Sequence, residues 1–257
     1  MKPIVFMFKN QTDFKKDQTI DIEMLKISIK QWSKNYKTDK MIICGSYNNK
    51  EIQDIVDILT ETFILERGIK ILNIGEFPKG LVNKTQKVNY QAIFAWDYLK
   101  EEYIVAYGDV FPIQKIDDSY LNKEYGIKYD DYTKIPENKM YWWLENNINA
   151  IKYLSEMYNV ELKTIYEGHT FYTVDEEVIN LLKNDPFLFM NVDRDIIKQK
   201  LEIIKGKDIL IPDFIGTTFI ANKWVWDESK EEQYKGIDVT LPKHPKSQEL
   251  LKRLKIK

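Results

Sequence analysis

The segment Tyr103-Ile-Val-Ala-Tyr-Gly-Asp-Val-Phe-Pro-Ile113 brings a carboxylate, Asp109, to the end of an apolar run. If that run is a strand, Asp109 stands at the carboxyl edge of a sheet. An oxygen ligand there can hold Mg2+ or Mn2+ and share it with phosphates. The same residue could equally cap a turn after Gly108, and spacing alone does not choose. A second segment, Tyr166-Glu-Gly-His-Thr-Phe-Tyr172, sets Glu167 and His169 two residues apart. On a strand that spacing puts both on one face. A neutral imidazole is a good ligand for a divalent metal, and a carboxylate can be a ligand or a base. The plainer reading is an edge-strand histidine with an ordinary hydrogen bond. Lys87 and Asn89 open the helix expected before the Asp109 strand. A helix N-terminus beside a lysine can receive a phosphate, although a solvated lysine reads as well. Lys9 and Asn10 follow the first apolar run, where a nucleotide base or ribose could sit.

Other features invite plainer explanations. Asp117-Asp118 and Asp130-Asp131 lie in a polar stretch and read as solvated loop residues. Trp142-Trp143 and Trp224-Val-Trp226 read as packing, with Trp224 and Trp226 kept as possible stacking faces for a sugar or base. Cys44 ends an apolar run with no histidine nearby in sequence and reads as a packing residue. No GxGxxG follows the first strand, no GxxxxGK[ST] occurs, and the GxSxG elbow is missing. Dinucleotide-dependent, P-loop and hydrolase chemistries are therefore disfavoured.

These residues need elements to position them. Ile4–Phe8 reads as a buried strand, and Ile22, Leu25, Ile29 and Trp32 recur at helical spacing over about residues 21–36. A second strand covers residues 40–45 and a second helix carries Ile52, Ile55, Val56 and Leu59. A third strand (69–74), a third helix (86–100) and a fourth strand (103–106) follow. Continuous apolar strands alternating with helices imply an α/β fold with a mostly parallel, Rossmann-like sheet and helices on both faces. Such sheets bind ligands beyond the carboxyl ends of their strands. Residues 114–138 read as a polar lid or excursion, and residues 139–158 as a long helix. Thr164–Tyr172 reads as a strand and Val174–Lys183 as a helix opened by Thr173. Ile196–Ile204 reads as a helix, Ile209–Ile211 and Thr217–Ile220 as strands, and Gln248–Lys255 as a basic terminal helix. The division expected is one ligand-binding domain over 1–185 with a C-terminal extension, 186–257, packed on it.

Composition narrows the classes. One cysteine excludes an intramolecular disulfide framework, and two histidines exclude a three-histidine zinc site within the chain. With 38 Lys+Arg against 40 Asp+Glu the net charge is −2, which argues against bulk electrostatic binding of nucleic acid but leaves a local basic groove open. The one dense basic stretch is Lys243, Lys246, Lys252, Arg253, Lys255 and Lys257. The six-residue run Pro3–Phe8 is too short for a signal segment or a membrane span, so a soluble cytoplasmic protein without a membrane span is expected. No obligate protein partner is evident.

The ordered set of segments resembles the GT-A glycosyltransferases. It is most similar to the capsule-type sugar-phosphate transferases called Stealth and their phage-encoded relatives. The resemblance runs through Ser28–Gly45, then Lys87-Val-Asn-Tyr-Gln-Ala-Ile, then Glu102–Ile113, and then Asn149-Ala-Ile-Lys through Tyr166-Glu-Gly-His-Thr. It covers roughly residues 1–185 at weak identity. It implies that Asp109 binds a divalent metal, Mg2+ or Mn2+, on the donor pyrophosphate. It also implies His169 as a further ligand or catalytic contact, Glu167 as a base or positioning group, and Lys87 and Asn89 as donor contacts. The family's acidic motif carries two or three carboxylates, whereas Gly108 stands here in place of the first. The site therefore uses Asp109 with His169, or binds its donor with little metal.

The function this implies is a metal-assisted glycosyltransferase using a nucleotide-sugar donor. Its acceptor hydroxyl belongs to a glycan, a small molecule or modified DNA such as a hydroxymethylated pyrimidine, in a host cytoplasm if the chain is phage-encoded. The alternatives are a capsule-type sugar-phosphate transferase and, from a different class, a non-catalytic nucleotide-sugar-binding module.

Overall fold

The computed structural model describes residues 1–7, 18–61, 68–106, 110–112, 115–122, 127–137, 140, 142–167, 171–206 and 217–219. Strand and helix alternate as the apolar pattern requires. β1 (Ile4–Met7) leads to α1 (Gln18–Asn35), β2 (Met41–Gly45), α2 (Asn49–Glu61) and β3 (Lys70–Asn73). α3 (Lys84–Leu99) then leads to β4 (Tyr103–Ala106). β1, β2 and β4 are buried along their whole length, which is why they read as unbroken apolar runs.

The main sheet has the order β3-β2-β1-β4-β8, β8 being the two residues Thr173–Val174. β1 pairs parallel with β2, Ile4 opposite Met41, and β2 pairs parallel with β3. β4 is reached through α3, the kind of crossover that parallel strands need. β8 joins β4 antiparallel, Tyr103 opposite Val174. The fold is thus mixed α/β with a mostly parallel, Rossmann-like sheet, as the alternation predicts. The antiparallel β8 is an addition to that expectation.

The chain forms two compact units. The first comprises residues 1–77, 105–119 and 213–257, the second 78–104 and 120–212. In the first, Leu25, Ile29 and Trp32 of α1 and Phe6 and Ile43 of the sheet are buried. Trp32 meets Tyr36 edge-on at 6.0 Å between ring centroids. β5 (Val110–Pro112) packs on α1 and pairs antiparallel with β9 (Thr217–Phe219).

The second unit is mainly helical: α3, α4 (Trp142–Tyr158), α5 (Glu176–Asn184), α6 (Pro186–Asn191) and α7 (Arg194–Ile204). α5 starts from Asp175, whose side chain accepts from the Val178 amide. Thr173, the expected opening residue, belongs to β8 instead. Asp185 ends α5 and caps α6, accepting from the Leu188 amide, with Pro186 in the first turn where its missing N–H costs nothing. β6 (Ile127–Tyr129) pairs antiparallel with β7 (Ile165–Glu167), so the strand expected over Thr164–Tyr172 is confirmed only for its first part. Ile135, Leu144, Ile148, Ile151 and Ile165 form a buried cluster in this unit. In the polar stretch before α4, Asp117 accepts from the Ser119 amide and Asp131 from the Thr133 amide. Both open short 3-10 turns, so each acidic pair contributes a turn-former. Among the described residues no helix is long and apolar enough to cross a membrane.

Candidate functional site

In a sheet ordered 3-2-1-4, successive crossovers reverse direction between β1 and β4. In open α/β sheets, ligands bind beyond the carboxyl ends of the strands at such a switch point. β1 ends at Met7 and β4 at Ala106, and both ends belong to the first unit. Lys9 and Asn10 follow β1 closely in sequence, and Asp109 follows β4. These three candidates lie outside the described residues. What the fold supplies is their place in the chain: they follow the two strands that flank the switch point.

The carboxyl edge next to β1 is closed on itself. Asn73, the last residue of β3, accepts from the amides of Tyr47 (2.9 Å) and Gly75 (3.0 Å). Its own amide donates to the Tyr47 carbonyl at 3.1 Å. The Ser46 hydroxyl donates to the Gly75 carbonyl, and the Ile74 amide to the Gly45 carbonyl. Gly75 turns at φ +71°, a conformation glycine adopts without strain. Burial pushes the Tyr47 phenol well above its ordinary range, and the neighbouring Cys44 pushes the same way. Cys44 is fully buried, in keeping with a packing role. Asn73 is a residue that sequence reasoning missed. Its only signal is an Asn-Ile-Gly run at a strand end.

The candidates in the second unit behave differently. α3 begins at Lys84, before the expected residue 86, because Asn83 and Gln86 close a capping box. Lys87 therefore lies beyond the first turn rather than at the opening of the helix, and it is half-buried. Asn89 is fully buried. Its amide donates to the carbonyls of Phe189 (3.0 Å) and Val192 (2.7 Å), and its oxygen accepts from the Arg194 amide (3.0 Å). The side chain thus serves the helix packing. Glu167 is the last residue of β7, with Ile127 as its register partner. His169 lies outside the described residues, as do Trp224, Trp226 and the basic stretch from Lys243 onward.

Among the described residues no group of three or more His, Cys, Asp or Glu is placed to hold a metal ion. The metal donors implied by the resemblance, Asp109 and His169, are not among them. The second unit carries an open hollow of ≈ 710 Å3 lined by Asp175, Glu176, Glu177 and Asp185 among others. None of its lining residues is a lysine or arginine, and the hollow contains none of the candidates.

No protein-family model matches the chain, and no curated protein does. Among solved structures, one match is a protein from Bacillus anthracis assigned as a glucose-1-phosphate thymidylyltransferase and solved with a sucrose. It is 15% identical with a TM-score of 0.40, over 82% of this chain and 85% of that one. Another is HddC from Yersinia pseudotuberculosis complexed with GMP-PN. It is 12% identical with a TM-score of 0.35, over 72% of this chain and 80% of that one. At such distances neither likeness names an activity for this chain.

Proposed function

We propose that this chain is a GT-A-type glycosyltransferase that takes a nucleotide-sugar donor at the carboxyl edge of β1 and β4. The observation that supports the reading is the strand order, which puts the switch point between the strands that Lys9-Asn10 and Asp109 follow. In this reading Lys9 and Asn10 take the nucleoside end of the donor. Asp109 would hold a divalent ion, which neutralises charge on the departing diphosphate when bound. The family resemblance in the acidic motif and its flanking helix supports the reaction class.

Thermal-shift measurements with UDP- and GDP-sugars, with and without Mn2+, test the reading. At least one donor is expected to stabilise the protein, and Asp109→Ala to remove the Mn2+-dependent part. If no nucleotide sugar stabilises the unaltered protein, the donor site is wrong. Mass spectrometry of the products separates the chemistries. Release of UDP or GDP marks glycosyl transfer, and release of UMP or GMP marks the capsule-type sugar-phosphate transfer. Binding with no turnover marks a non-catalytic module. Glu167→Ala and His169→Ala, assayed in parallel, test the second motif independently of the first.

A further inference from the structure

The chain that leaves the switch point does not run free. Directly after Asp109 it forms β5, and Pro112, Ile116 and Asp118 are tied to Asn35, the last residue of α1, and to Tyr36 after it. The Asn35 side-chain amide donates to the Pro112 carbonyl at 2.7 Å, in a buried contact. The Asn35 carbonyl accepts from the Ile116 amide at 2.8 Å. The Tyr36 hydroxyl donates to Asp118 at 2.5 Å and accepts from the Lys2 amide, while the Lys2 ammonium reaches Asp118 at 3.2 Å. All of these residues belong to the first unit.

We infer that Asn35 is a positioning residue for the donor site, acting through its side-chain bond to Pro112. This rests on the proposed donor site between β1 and β4. Of the three ties, the Pro112 tie lies nearest in sequence to Asp109 and the Asp118 tie farthest. Asn35 is itself fixed, because it ends an 18-residue helix whose Ile29 and Trp32 are fully buried, and its amide also reaches Gln31 at 3.2 Å. A rigid helix end therefore fixes the last residue of β5, three positions after Asp109, while the pairing with β9 holds the strand's other side. Asp118, at the far end of the strap, secures the strap without setting its start.

The test compares Asn35→Asp with Asp118→Asn in the full chain, by calorimetric titration with UDP-glucose, GDP-mannose, UMP and GMP. Asn35→Asp keeps the shape and removes the donor to Pro112. Asn35→Ser, neutral and too short to reach, serves if the buried carboxylate prevents folding. The Asn35 variants are expected to weaken nucleotide-sugar binding about tenfold or more, since small misplacements at a reacting centre are costly. Binding of the nucleoside monophosphate is expected to stay within about threefold, well under the tenfold step of 1.4 kcal/mol. Asp118→Asn is expected to lower the melting temperature while leaving both affinities within that range. A purely structural role would move both ligands together, and that result, or equal donor binding by Asn35→Ser and the unaltered protein, overturns the inference. If the unaltered protein binds no nucleotide sugar, the proposed function fails first and the inference falls with it.

Discussion

Two asparagines, one in each unit, are buried and fix backbone far along the chain, and they differ in how much of it they hold. In the second unit Asn89 is sealed from solvent and spends its whole side chain on the turn between α6 and α7. Asn146 of α4 holds the same turn, donating to the Asn191 carbonyl and accepting from the Asp193 amide. In the first unit Asn35 holds one carbonyl of a strap whose far end is a half-exposed ion pair. The contrast separates two uses of the same residue type. A buried amide that satisfies several backbone groups is a stability element, because each group would otherwise be stranded away from water. The Asn35 bond to Pro112 satisfies one distant carbonyl and fixes one point of the chain, so its loss strands fewer groups.

The largest expected effect follows from that difference. Asn89→Ala strands the Phe189 and Val192 carbonyls and the Arg194 amide together. Unfolding stability is expected to fall by about 3–5 kcal/mol, since each buried unsatisfied group costs about 1–3 kcal/mol. Urea titration of the variant measures it. A loss below about 1 kcal/mol, the net worth of a single ordinary hydrogen bond, would mean that water enters the site and satisfies the stranded groups.

The same comparison shows what could be read in the sequence. Ile4–Met7, Met41–Gly45 and Tyr103–Ala106 announced themselves as strands because burial on both faces leaves no polar position. α1, α2 and α7 showed helical spacing for the related reason that one face is apolar. Missed were α6, whose six residues are too few for a period, and β8, whose two residues carry no pattern. Asn89 was legible as a polar residue in a promising place, but not as a bracket, because its three partners lie about a hundred residues further along. Asn35 was illegible for the same reason, and Asn73 left only the Asn-Ile-Gly run at its strand end. A side chain that reads backbone across the fold leaves no local mark. Of the site, the alternation of strands and helices and the places of Lys9, Asn10 and Asp109 after apolar runs were legible, whereas the spatial order of the strands was not, and the roles proposed for these residues lean on the resemblance.

A second, smaller effect is a pH limb of stability in the second unit. Lys198 is almost fully buried and pairs with Asp175 at 2.5 Å and Glu202 at 2.8 Å. Burial pushes the Asp175 carboxyl up, but the Lys198 hydrogen bond, the Val178 amide and the nearby lysines outweigh it and leave the carboxyl below its ordinary value. Burial likewise disfavours the Lys198 ammonium, and its two carboxylate partners outweigh that and leave it raised. A depressed carboxyl contributes stability that is present above the ordinary carboxylate pKa of about 3.9 and is lost as pH falls through the folded value. A raised ammonium contributes stability that is present below the ordinary lysine pKa of about 10.4 and is lost as pH rises through the folded value. Asp175→Asn is therefore expected to flatten the acid side of the stability profile and, because Lys198 loses one of the two carboxylates that raise it, to bring the alkaline loss to lower pH. Denaturant midpoints taken across pH check it. An unchanged acid limb would assign that limb to other carboxylates.

The smallest effect belongs to the strap. Tyr36→Phe removes the hydroxyl that donates to Asp118 and accepts from the Lys2 amide, and leaves the ring packed against Trp32. The Tyr36 hydrogen bond is the main reason the Asp118 carboxyl lies below its ordinary value; burial opposes it, and Lys2 and the terminal amine add to it. Because Asp118 is half-exposed, solvent screens much of the pair, and the stability change is expected to be about 1 kcal/mol or less. The sharper readout is the carboxyl itself. In a chemical-shift titration, Asp118 of Tyr36→Phe should titrate closer to an ordinary aspartate, and its stability contribution should disappear at a higher pH than in the unaltered protein. A titration that does not move would assign the depression to Lys2. The strap's far end would then be held by charge alone, and the contrast with the fully hydrogen-bonded Asn89 bracket would become sharper.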